Sequence, residues 1–254
     1  SFVVDVSDSG IDNGTPQPGH FGLYPLGDTN LPSRVAYNRL EGRPNESGWL
    51  QDCAGHGTIN AHIIAGYSDL AGFPFTDVEG YSYGLGVAPF VRIGSSVIFD
   101  ADEFTYPYYL DLQAQAYRDG ARISANSWGA TVSGYYTYES QAYDALVRDA
   151  QPANSVAAAP GNQEMVIVFA AGNSGPGARS IGSPGTAKNV ITVGASENVH
   201  PHSTAFGGFD EGGKDGCAKT DLDADNADDL ASFSSRGPCK DGRIKPDIVA
   251  PGTH

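Results

Sequence analysis

Three short stretches place an acid, an imidazole and an amide where regular structure gives way to turns. Val3-Val4-Asp5-Val6-Ser7-Asp8-Ser9-Gly10 reads as an apolar strand that delivers Asp8 into a glycine turn. Gly55-His56-Gly57-Thr58 sets His56 at the head of a helical stretch. Val168-Phe169-Ala170-Ala171-Gly172-Asn173-Ser174-Gly175 carries a second strand into a glycine turn that holds Asn173. A carboxylate that orients an imidazole, an imidazole that accepts a hydroxyl proton, and a neutral amide that donates to an oxyanion are three parts of nucleophilic-serine chemistry. The fourth part, a serine in a matching context, is not in these residues. Taken singly, each stretch has an ordinary use as a turn former or helix start. Their joint order, Asp then His then Asn on alternating segments, argues for chemistry.

The surrounding pattern says how such groups would be positioned. Apolar, β-rich runs recur at Phe2–Val6, Val91–Phe99, Arg122–Asn126, Met165–Ala171 and Val190–Val193. Between them, helical spacing marks His56–Ala65, with Ile59, Ile63 and Ile64 on one side, Tyr108–Asp119, which stops at Gly120, and Glu139–Ala150, which ends before Pro152. Strands alternating with helices predict an α/β fold of three layers with a mostly parallel central sheet. Ligand groups gather at the carboxyl edge of such sheets, where Asp8, Asn126 and Asn173 are expected. Residues 12–50, rich in Pro and Gly, read as a long surface excursion, and residues 200–230 as an acidic insertion.

At 254 residues the chain fits one large domain, expected over 1–254. A net charge of −15 repels phosphate backbones and anionic bilayers, so no nucleic-acid or membrane partner is expected. No apolar run approaches the roughly 20 residues of a membrane span. Ser1 leads straight into a strand, which reads as a mature or trimmed form. Three cysteines make no framework, although a Cys217–Cys239 bridge would suit a secreted protein and leave Cys53 unpaired.

Together the motifs resemble the subtilisin-like serine proteases (the subtilases, peptidase family S8). Asp8 in Asp8-Ser9-Gly10-Ile11-Asp12 matches the family's catalytic aspartate, His56 its histidine with Asp52 ahead of it, and Asn173 its oxyanion asparagine. Asn126-Ser127-Trp128-Gly129 matches the strand lining the S1 and S4 pockets. Ser183-Pro184-Gly185-Thr186-Ala187, Phe233-Ser234-Ser235-Arg236-Gly237-Pro238 and Lys245-Pro246-Asp247-Ile248-Val249-Ala250-Pro251-Gly252 match later core segments and the approach to the nucleophile. The resemblance runs nearly end to end. Tyr117–Arg122 and Asp241–Lys245 look closest to the high-alkaline, oxidant-resistant branch.

The resemblance implies a secreted endopeptidase acting on polypeptides, with no cofactor for catalysis and a further C-terminal β-domain in the parent chain. It implies that Ser127, Trp128 and Gly129 pair with substrate backbone, that Ala170, Ala171 and Gly172 wall the S1 pocket, and that Ser183–Pro184 is cis. The family's Gly-Thr-Ser-Met-Ala motif lies downstream of the Pro-Gly-Thr run, and the sequence stops at His254. The expectation is therefore a C-terminally truncated catalytic domain that is inactive alone.

Other departures carry expectations of their own. Ile59-Asn60-Ala61-His62 replaces the usual His-Val-Ala-Gly, and His62 at a normally Gly position implies an altered neighbouring loop. The acidic residues 100–106 replace a Gly-rich pairing edge and are either solvated or select basic substrate side chains. Cys53 is either an inert thiol or one felt by the site. Asp221, Asp223, Asp225 and Asp229 have the alternation of a structural calcium loop, without its Gly and Glu, or are a solvated acidic stretch. Two rival functions remain: a catalytically inactive protease-like binding domain, and an α/β-hydrolase esterase using Ser174 with Asp247 and His254, which Pro176 disfavours.

Overall fold

The computed structural model describes residues 2–45, 47–72, 75–76, 82, 84–101, 103–197, 226 and 228–253. The chain divides into two compact units, Ser1–Ser127 with Asp144–Ile167, and Trp128–Tyr143 with Val168–His254. In the first unit, β1 (Val3–Asp8) lies between β3 (Arg92–Val97) and β6 (Ala121–Asn126), and β2 (Val35–Leu40) flanks β3, all parallel. A two-stranded hairpin follows, β4 (Phe99–Asp100) with β5 (Glu103–Phe104). Helices α1 (His56–Ala65), α2 (Tyr109–Arg118) and α3 (Tyr138–Arg148) alternate with the strands. In the second unit Val168–Ala170 of β7 (Val166–Ala170) pair in parallel with β8 (Ile191–Ser196), and β8 with β9 (Ile248–Pro251). The central sheet has seven strands in the order β2-β3-β1-β6-β7-β8-β9, the mostly parallel α/β arrangement that the sequence predicts.

Every residue of β1 is buried, the polar Asp5, Ser7 and Asp8 as well as the three valines, as in a strand covered on both faces. Pleating sends Val4 and Val6 to one face, where they join Ile11, Leu23, Val35, Ile93 and the α1 residues Ala61 and Ala65. The opposite face carries Asp5 and Ser7. Asp5 accepts hydrogen bonds from Ser7 Oγ (2.8 Å), Ser96 Oγ (2.7 Å) and Tyr37 Oη (2.8 Å). Arg39 stacks over Tyr37 and bonds Asp119 just past α2, and α2's Gln115 bonds Glu41, so a helix covers each face. Burial pushes the Asp5 carboxyl above its ordinary range, with the three hydroxyls opposing.

Two elements differ from the sequence expectation. Strand β2 lies inside the 12–50 excursion; its partly exposed residues lack a strong apolar period, and prolines flank it. Helix α1 has the expected span but buries its small face, Gly57, Ala61 and Ala65, and leaves Ile59 and Ile63 exposed. The reason is close approach. A Cβ on Gly57 would stand 2.1 Å from the Gly10 carbonyl oxygen, so the helix start lies directly on the turn after β1.

The second unit is centred on aromatic side chains. Phe169 and Tyr143 are fully buried, with ring centroids 4.8 Å apart at 80°, and Trp128 lies 5.2 Å from Phe169. Phe169→Ala is expected to cost about 3–5 kcal/mol, read from the urea midpoint. A loss below ~1 kcal/mol would contradict this packing.

Candidate active site

Asp8 is the last residue of β1 and is 2% exposed. Its Oδ1 accepts from the Ser9 backbone N–H at 2.7 Å and lies 2.7 Å from His56 Nδ1. A carboxylate at that distance fixes the proton on Nδ1, which leaves Nε2 as an acceptor. The His56 side chain is 57% exposed, so the pair has a buried anion and an accessible base. Asp8 thus stands at the carboxyl end of its strand, where the sequence places it, and meets His56 there.

The helix start that carries His56 is built by its neighbours. Gly55 takes φ 79°, a left-handed conformation that glycine adopts without strain. Its side chain cannot cap, and Asp52 does so from upstream. Asp52 Oδ1 accepts from the N–H groups of Ala54 (3.1 Å) and Gly55 (2.8 Å), and Oδ2 from Thr58 N–H (2.8 Å) and the Thr58 hydroxyl. Ser9 Oγ accepts from Gly57 N–H at 3.0 Å and stands 2.8 Å from Asp52 Oδ1 and 3.2 Å from Asp8 Oδ1. Sequence reasoning missed Ser9 as a link, although its position beside Asp8 was the available signal.

Hydrogen bonding to Asp8 raises the His56 pKa above its ordinary value, burial opposes, and the charges of Asp8 and Asp52 raise it further. The imidazole is neutral, and able to accept a proton, only above that raised value. His56 therefore adds stability below its unfolded pKa of about 6.5, lost as pH rises through the folded one. Asp8→Asn is expected to move the His56 titration, followed by NMR of the ring protons, to lower pH. A midpoint that stays put would mean the carboxylate does not face the ring.

His62 behaves as a packing residue of an altered loop. His20, from the 12–50 excursion, accepts the Gly22 N–H on Nδ1 (3.0 Å) and places Nε2 3.0 Å from His62 Nδ1. That fixes a chain of two neutral imidazoles, His20 donating, and burial lowers the pKa of each. The pair borders a cavity of ≈510 Å³ shared with Asp12, Ile59 and Ile63.

The acidic 100–106 segment also differs from both sequence readings at Asp100. That residue is 1% exposed, and its carboxylate accepts from Asn45 N–H (3.0 Å), Gly48 N–H (2.8 Å) and Ser47 Oγ (2.5 Å). It anchors the loop that carries Asn45, Ser47 and Gly48 and does not meet solvent.

In the second unit, Asn173 is exposed in the turn after β7. Ser235 pins that turn from both sides: its N–H donates to Gly172 O (2.9 Å) and its Oγ accepts from Ser174 N–H (3.0 Å). Ala171 is buried, donates to Val193 O (2.8 Å), and accepts from Gly182 N–H (2.9 Å). Gly129 is exposed, and a Cβ there would meet Ser183 O at 2.7 Å. Ser183–Pro184 is cis, as expected, as are Gly175–Pro176, Gly237–Pro238 and Lys245–Pro246. Ser174 Oγ pairs with Thr131 Oγ1 at 3.0 Å. Asp221, Asp223, Asp225 and Cys217 lie outside the described residues, so the calcium-loop and Cys217–Cys239 expectations do too; Asp229 Oδ1 accepts from Leu230 N–H at 2.7 Å. Among the described residues, no group of three or more His, Cys, Asp or Glu could hold a metal ion.

A family model described as "Subtilase family" matches residues 1–254. The serine protease AprX of Bacillus subtilis (strain 168) is 38% identical over 117 residues, 46% of this chain and 20% of the relative. Pyrolysin of Pyrococcus furiosus is 31% identical over 233 residues, 81% of this chain and 15% of the relative. The chain thus spans a fifth or less of these two curated relatives. Among solved structures, the CspB protease of Clostridium perfringens superposes with TM-score 0.59 at 13% identity, covering 99% of this chain and 74% of that one. The psychrophilic subtilisin-like protease Apa1 of Pseudoalteromonas sp. AS-11 gives 0.51 at 20% identity, covering 99% and 41%. Both likenesses concern the fold.

Proposed function

This chain belongs to the subtilase family of serine peptidases, and from that premise we propose that it carries the general-base half of a secreted endopeptidase acting on polypeptides. The observation that carries the reading is the 2.7 Å contact between buried Asp8 and accessible His56. His56 Nε2 takes the proton of a serine hydroxyl as that oxygen attacks the peptide carbonyl. Asp8 holds the resulting imidazolium, and His56 returns the proton to the leaving amine. The Asn173 amide donates to the oxyanion. Loss of one such donor costs about 3–4 kcal/mol, a figure taken from subtilisin, a member of the same family. Ser127, Trp128 and Gly129 pair with an extended substrate backbone, and Ala170, Ala171 and Gly172 leave room for a large P1 side chain.

The serine belongs to the family's Gly-Thr-Ser motif, which the 254 residues do not contain. Removing the nucleophile of subtilisin costs about 10⁶ in kcat, so Asp8 and His56 alone leave only residual catalysis. The test compares the 254-residue chain with a longer form that includes the motif, on a chromogenic peptide. Hydrolysis sensitive to a sulfonyl fluoride is expected in the longer form alone. Equal, inhibitor-sensitive activity in both would place the nucleophile inside this chain.

The Asp221–Asp229 stretch is proposed as a structural calcium loop on its sequence spacing. Added calcium is expected to raise Tm, and a chelator to reverse the rise. Unchanged stability across the titration removes the proposal.

A further inference from the structure

Position 60 is where this chain sets an amide in place of the apolar side chain of the His-Val-Ala-Gly pattern. One helical turn after His56, Asn60 shares its face of α1. Asn60 Nδ2 lies 2.9 Å from the His56 carbonyl oxygen, 3.3 Å from Asp8 Oδ2 and 3.3 Å from His56 Nδ1. Asn60 Oδ1 accepts from Ser127 Oγ at 3.0 Å. The amide orientation follows from this network, since a flip would set its oxygen against a carboxylate and a carbonyl. His56 Nδ1 already carries the proton facing Asp8, so its approach to Nδ2 joins two donors and is not a bond. The two amide hydrogens go to His56 O and Asp8 Oδ2.

We propose that Asn60 is a positioning residue that ties the second oxygen of Asp8 to the Ser127 hydroxyl, joining the dyad to the start of the substrate-pairing segment in one hydrogen-bonded chain. The proposal rests on the reading of Asp8 and His56 as a general-base pair. The Ser127 hydroxyl polarises the amide, which strengthens its N–H donation to Asp8. That N–H draws on the Asp8 charge and sets a partial positive charge 3.3 Å from the ring. Both effects disfavour the imidazolium. The charges facing His56, Asp8 and Asp52, favour it. Asn60 opposes them and keeps more of the imidazole neutral at a given pH.

The test is an NMR titration of the His56 ring in the 254-residue protein. Asn60→Leu, close in shape but without donor or acceptor, is expected to raise the midpoint. Ser127→Ala should raise it less. The double variant Asn60→Leu/Ser127→Ala should match Asn60→Leu alone, because Ser127 acts through the amide. An unchanged or lowered midpoint in Asn60→Leu, or a double variant that shifts by the sum of the singles, overturns the proposal. Should Asn60→Leu fail to fold, Ser127→Ala decides alone, and no shift there overturns it. Asp8→Asn serves as the control. If it fails to lower the midpoint, the Asp8–His56 reading falls as well. If it lowers the midpoint while Asn60→Leu changes nothing, the Asn60 proposal falls by itself.

Discussion

A carboxylate buried at the end of a central strand is the constraint around which the first unit is built. Taking such an ion out of water costs several kcal/mol unless hydrogen bonds replace the lost hydration. Asp8 meets that demand with donors from three directions: the Ser9 N–H beside it, His56 Nδ1 across the turn, and Asn60 Nδ2 one helical turn further on. Two of the three come from α1, so the helix must start within hydrogen-bond reach of the end of β1. That requirement explains Gly57, where any Cβ would strike the Gly10 carbonyl, and the small buried face of α1.

A helix N-terminus is an unfavourable place for a cationic ring, because the aligned peptide dipoles place partial positive charge there, worth about 0.3–1 kcal/mol in typical exposed cases. His56 stands at that position, yet its pKa lies above the ordinary value. The hydrogen bond to Asp8 and the charges of Asp8 and Asp52 outweigh the partial burial of the ring. Asp52 does two jobs at once, since the oxygens that satisfy the orphan N–H groups of α1 also bring a negative charge towards the ring. Ser9 has a single hydroxyl proton between two carboxylates. At 2.8 Å against 3.2 Å it goes to Asp52, which leaves Asp8 to the stronger, backbone donor.

The sequence made β1 and α1 legible because both are driven by local rules: a buried apolar run, a glycine turn, and a helix whose span ends at Gly66. Asp8 and His56 could be paired on paper because each sits at the terminus of such an element. Strand β2 was hidden because, among the described residues, it pairs with β3 alone, so no apolar period marks it, and prolines on both flanks suggest a loop. The exposed Ile59 and Ile63 misled for a different reason: apolar spacing identifies a helix but not which stripe meets the sheet when the other stripe is Gly and Ala. Asp100 could not be placed from sequence, since its partners are backbone N–H groups some fifty residues away. Asn60 is visible in the sequence as a departure from a pattern, but the partners that define its proposed role, Asp8 and Ser127, lie 52 and 67 residues away along the chain.

The turn after β7 poses the same problem without a charge. An oxyanion donor, the role proposed for Asn173, helps only if it is aimed before the charge develops, because reorientation during the reaction would use up the gain. Asn173 is exposed and cannot be held by core packing, so its direction depends on the backbone that carries it. Gly172, at φ 107°, supplies the reversal, and Ser235 closes it with one bond on each side of Asn173. Ser235 is itself 1% exposed. A buried hydroxyl and its own N–H thereby fix a turn whose central side chain stays free to meet another molecule. Rigidity is placed in the main chain and accessibility in the side chain, the same division seen between buried Asp8 and exposed His56.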